Sequence, residues 1–97
     1  MNLGTQIDFN LGKPHVVSIK KTEKLNIFAV GITEGDALKK HKSATPAVLT
    51  VLKGSVDFEI NGEVHMLNQF DVFDIPVGEE HEVRAVVDSI VLLSKEV

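Results

Sequence analysis

The 97 residues leave room for one hydrophobic core, and 14 acidic against 10 basic side chains set the net charge at −4. That mild acidity, with neither tryptophan nor tyrosine to stack on bases, argues against a nucleic-acid partner. The absence of cysteine excludes disulfides and thiolate metal sites and fits a reducing cytoplasm, the expected location.

In chain order, residues 1–13 read as an N-terminal arm or edge strand. They lack the basic start, apolar middle and small-residue cleavage site of a secretory signal. No later segment reaches the ~20 apolar residues of a membrane helix, so no membrane partner is expected. "PHVVSIK" and "KLNIFAVGI" follow as strands, and "TEGDALKKHKS" reads as a turn at Gly35–Asp36 leading into a strand, being too short and polar for a helix. "PAVLTVL", "SVDFEI", "EVHML", "DVFDI", "HEVRAVV" and "SIVLLSK" complete eight strand candidates separated by turn signals. The expected fold class is all-β, a double-sheet jelly roll closed into a small barrel, with one domain over residues 1–97.

The hairpin carries the most detail. Val56, Phe58 and Ile60 alternate with Ser55, Asp57 and Glu59, giving one apolar and one wet face. Asn61-Gly62 signals a type I′ turn, which needs positive φ at both central residues. A two-residue loop pairs Ile60 with Glu63, Phe58 with His65 and Val56 with Leu67, so His65 faces the apolar side beside Phe58. A one-residue bulge would turn it outward.

The same alternation places His81 with Val83, Ala85 and Val87 on one face, and Glu82 and Arg84 on the other. Counted through "LKKHKS", it groups Lys39, His41 and Ser43 and sends Lys40 and Lys42 outward. Two inward histidines at strand starts, His41 and His81, are thus candidates to converge at one barrel mouth. Glu79 and Glu80 read as loop residues and Glu82 as outward, so the three form a solvated surface rather than an acid–base pair.

These residues resemble the two motifs of the cupin superfamily, G-x5-H-x-H-x3-4-E-x6-G and G-x5-P-x-G-x2-H-x3-N. Gly35, His41 and Gly54 occupy the first; Pro76, Gly78 and His81 occupy the second, with every spacing matched from about Gly35 to the C-terminus (a core over residues 35–95). The resemblance implies a conserved barrel domain and a homodimer. It also exposes departures: Ser43 stands at the second histidine, Ala47 at the glutamate, Phe70 at the second motif's opening glycine and Ala85 at its asparagine. A metal-bearing cupin offers three imidazoles and a carboxylate; here His41 and His81 remain, with His65 as a third ligand if it reaches them. Serine is a poor ligand for a divalent transition metal and alanine is none. The expected cofactor is therefore at most a weakly bound zinc, nickel, iron or manganese ion.

Three functions follow. The first is a barrel that captures a small molecule through His41, Ser43, His81 and Lys39 around an incomplete two-histidine metal site. The second is a metal-dependent oxygenase or isomerase that uses His41, His81 and His65. The third is a regulatory or structural module acting through its dimer surface. No catalytic acid, base or nucleophile stands out, whether as a glycine-rich phosphate loop, a G-x-S-x-G elbow or a cysteine. Asp71 sits at a turn, and Asp74 either orients a histidine or lies on the exposed face.

Overall fold

A computed structural model describes residues 1–97. The alternating runs become nine strands in two antiparallel sheets: β1 His15–Lys21, β2 Leu25–Ile32, β3 Ala37–Lys42, β4 Ala47–Lys53, β5 Ser55–Ile60, β6 Glu63–Asn68, β7 Val72–Ile75, β8 Glu80–Ala85 and β9 Ser89–Glu96. One sheet runs β1-β2-β9-β4-β7 and the other β3-β8-β5-β6. This is the expected jelly-roll barrel. Every second residue of the strands points between the sheets, where Val30, Leu49, Val51, Phe58, Val83 and Val91 form part of the buried core.

The hairpin forms in the expected register, with Ile60 opposite Glu63, Phe58 opposite His65 and Val56 opposite Leu67. Asn61 and Gly62 have φ of 53° and 75°, so the turn is type I′. The "TEGDALKKHKS" segment is a turn followed by β3, as read, and Glu80 opens β8 rather than belonging to the loop.

Two motif positions have direct structural reasons. Gly54 has φ of 83°, and a Cβ there would stand 2.3 Å from Ser89 Oγ and 2.7 Å from the Asp88 carbonyl, so only glycine lets the β4–β5 corner close on the start of β9. At Phe70 a tight turn forms without the glycine. Asp71 N–H donates to the Asn68 carbonyl at 2.9 Å. Phe70 takes φ of 73°, the third position of a type II turn. Its ring lies in solvent, 74% exposed. Asp71 is structural, its Oδ2 accepting from Asn68 N–H at 2.8 Å.

One element went unforeseen in the arm, a short helix α1, Leu3–Gln6, whose first turn is capped by Asn2. The arm folds over the outer face of the five-stranded sheet. There Ile7 packs with Val17, Ala29 and Ile90 in a second small core. His15 ties it down, its Nδ1 accepting from Asp8 N–H at 2.9 Å.

Candidate functional site

The barrel mouth is organised by β3 and β8. His41 lies directly opposite His81, and Leu38 lies opposite Val83. Two residues of β3, Lys39 and Lys40, therefore face the single residue Glu82, which makes a β-bulge. The bulge corrects the alternation counted through "LKKHKS". Leu38 packs against the core in the inward place assigned to Lys39, and Lys39 is exposed. Lys40 faces outward, within 3.7 Å of Glu59. Lys39 contributes its backbone instead.

His41 Nδ1 donates to the Lys39 carbonyl at 2.8 Å, and His81 Nδ1 donates to the Glu79 carbonyl at 3.1 Å. A carbonyl only accepts, so both Nδ1 atoms carry a hydrogen, and in the neutral rings both Nε2 atoms keep a lone pair. The rings meet edge-on with centroids 4.2 Å apart. His81 is 3% exposed and stacks on Phe58 at 5.4 Å. Its burial holds its pKa below the ordinary histidine value, and the charges of His41 and Lys95 push the same way against the hydrogen bond to Glu79.

His65 keeps the expected inner-face register but does not reach the pair. Phe58 and Phe73 stand between, 4.5 Å apart, and His65 packs on Phe73 at 5.1 Å while lying 3.5 Å from Glu63. No group of three histidine, cysteine or acidic side chains is close enough to hold a metal together. Ser43 is buried, but its hydroxyl donates to the Thr45 carbonyl at 2.7 Å and its carbonyl accepts from Gly78 N–H at 2.9 Å. It fastens the β3–β4 loop to the Pro76–Gly78 turn. Asp74 is exposed on the outer face opposite Val48, away from the imidazoles. Glu82 accepts from Arg84 at 3.0 Å, as an outward pair.

The donor set falls short of a four-ligand metal centre: two imidazoles, a serine already engaged, and a buried methyl at Ala47.

Lys95 was missed. Val91 and Leu93 are core residues, so the next inward residue of β9 is Lys95, whose Nζ lies 5.8 Å over the Phe28 ring. The signal lay in "SIVLLSK", where the odd positions end in a lysine, but an apolar run without an evident wet face hides which row turns inward.

A double-sheet antiparallel barrel with facing imidazoles at its mouth defines the class. The cupin domain family model matches residues 28–93, and the chain belongs to that family. The structure is similar to a cupin superfamily protein, DSY2733, from Desulfitobacterium hafniense (TM-score 0.92, 12% identity, covering 100% of this chain and 89% of that one). It is also similar to the conserved protein SPY1581 of Streptococcus pyogenes (0.88, 20%, 99% and 84%) and to KdgF from Halomonas sp. (0.83, 21%, 95% and 87%). At these identities the likeness concerns the fold alone. No curated protein matches the chain in sequence.

Proposed function

We propose that this chain is a ligand-capturing cupin, holding a small molecule at the barrel mouth with the His41–His81 pair as its polar floor. The observation that carries this reading is the pair itself. Both Nδ1 hydrogens are spent on backbone carbonyls, which leaves two fixed lone pairs over an apolar barrel. Such a pair accepts hydrogen bonds from ligand hydroxyls. It supplies two of the ligands a divalent ion needs, so zinc or nickel binds weakly and leaves easily.

Calorimetric titration of tag-free protein with zinc is the test. The expected result is uptake in the micromolar range or weaker, abolished in both His41→Ala and His81→Ala. A stoichiometric ion retained through gel filtration and lost in both variants would replace this reading with the metalloenzyme one.

A further inference from the structure

Two strands, β1 and β9, bring cations to one inward row. Lys21 lies opposite Asn26, Asn26 opposite Lys95, and Lys95 opposite Ala47, which in turn faces Ile75. Directly opposed residues share a face. The row therefore reads Lys-Asn-Lys-Ala-Ile across the five-stranded sheet, with no acid in it. Strands are spaced ~4.8 Å apart, so the two ammonium groups are rooted about 10 Å apart with the amide between them. Lys21, Asn26 and Lys95 line one open cavity of about 330 Å³, bordered on the other side by Ser43, Thr45 and Val97.

Neither lysine has a carboxylate within ion-pair distance; the ion pairs of the molecule involve Lys40, His65 and Arg84. Glu96 borders the cavity, but alternation along β9 turns its side chain to the outer face. Lys95 is half-buried and rests on Phe28. Ser43, two residues beyond His41, borders the same cavity, which puts the row at the same end of the barrel as the imidazoles. Ala47, aligned by resemblance with the family's metal-binding carboxylate, is the direct neighbour of this cation. A methyl with a cation beside it stands where the resemblance expects a carboxylate.

We infer that the row Lys21–Asn26–Lys95 is an anion site, and that the ligand of this barrel carries a carboxylate or phosphate group seated there. The inference rests on the ligand-capture reading above and supplies its missing chemical class. Two ammonium groups, Lys21 exposed and Lys95 half-buried, and an amide donate to one anionic group from adjacent strands.

The test is an NMR titration of the intact protein with L-malate, inorganic phosphate and neutral erythritol. Either anion is expected to give saturable shifts at the Asn26 side-chain amide and the backbone around Lys95, with malate preferred for a carboxylate ligand and phosphate for a phosphoester. Lys95→Met keeps the aliphatic stem over Phe28 and should weaken binding about tenfold. Lys21→Met gives a second route should Lys95→Met lose its native melting transition, and a several-fold loss is expected there too. Anion binding unchanged in both variants, or no saturable shift with either anion, would overturn the inference. Erythritol binding as tightly as the anions would overturn it while leaving ligand capture standing. Anion binding that survives His41→Ala/His81→Ala would uphold the row even if the imidazole reading fails.

Discussion

At the scale of single residues, His81 and Phe70 hold unfavourable states that the fold enforces. His81 is buried against Phe58 beside a second imidazole and within reach of the Lys95 charge, so its folded pKa is depressed below the ordinary value near 6.5. The unfolded chain then binds the proton more readily. Stability is full above about pH 6.5 and is lost as the pH falls through the folded pKa. The melting temperature should therefore fall between pH 7.5 and 5, and His81→Gln should flatten that slope; an equal slope in the variant would refute the assignment. Phe70 holds φ of 73° with its ring in solvent, so it bears the left-handed cost without compensating burial. Phe70→Gly should stabilise the protein by about 1 kcal/mol, a rise of about 4–8 °C in Tm for a domain of this size. Scanning calorimetry checks it, and an unchanged or lower Tm would mean the ring has a partner in solution. Both residues were conspicuous in the sequence, but their states depend on the pairing of distant strands.

At the scale of elements, the register of the β5–β6 hairpin was legible because it is set by two adjacent residues with forced positive φ and by the alternation along β5. The β3–β8 pairing was legible only in part. That His41 and His81 both face inward followed from parity, whereas their direct pairing and the bulge at Lys39 and Lys40 have no marker in a run of polar residues that any register would tolerate. Lys95 escaped for a related reason, since which row of β9 faces inward is decided by its neighbours β2 and β4. This sharpens the expectation for restoring the family's ligands. Ser43→His with Ala47→Glu should raise zinc affinity, but the new carboxylate lies directly opposite Lys95 and will pair with it first. Adding Lys95→Met should release that carboxylate and raise the affinity again, by about tenfold or more. Calorimetry of the double and triple variants decides it. A folded triple variant no better than the double one would show that residue 47 does not address the imidazoles.

At the scale of the whole molecule, the outer face of the five-stranded sheet is half covered. The arm seals the end around Val17, Ala29 and Ile90, and Ile7 serves as its anchor. The other end has no cover from the chain. Leu25, Ile27, Pro46 and Val48 border an open groove of about 280 Å³, and Val72 on the neighbouring edge strand is 61% exposed. A chain of this length buries only about 60–65% of the surface its unfolded form exposes, which leaves it marginal as a monomer. The edge strands β1 and β7 add unpaired backbone groups. A second copy fits these needs, because an apolar sheet face is self-complementary and a two-fold contact uses the same patch on both subunits. A homodimer is therefore expected at micromolar concentration by sedimentation velocity. Val48→Glu and Val72→Glu together should shift it to monomer and lower the Tm, because four carboxylates would then crowd one interface. A wild-type protein that sediments as a stable monomer, or a variant that stays dimeric, would place the contact elsewhere or remove it.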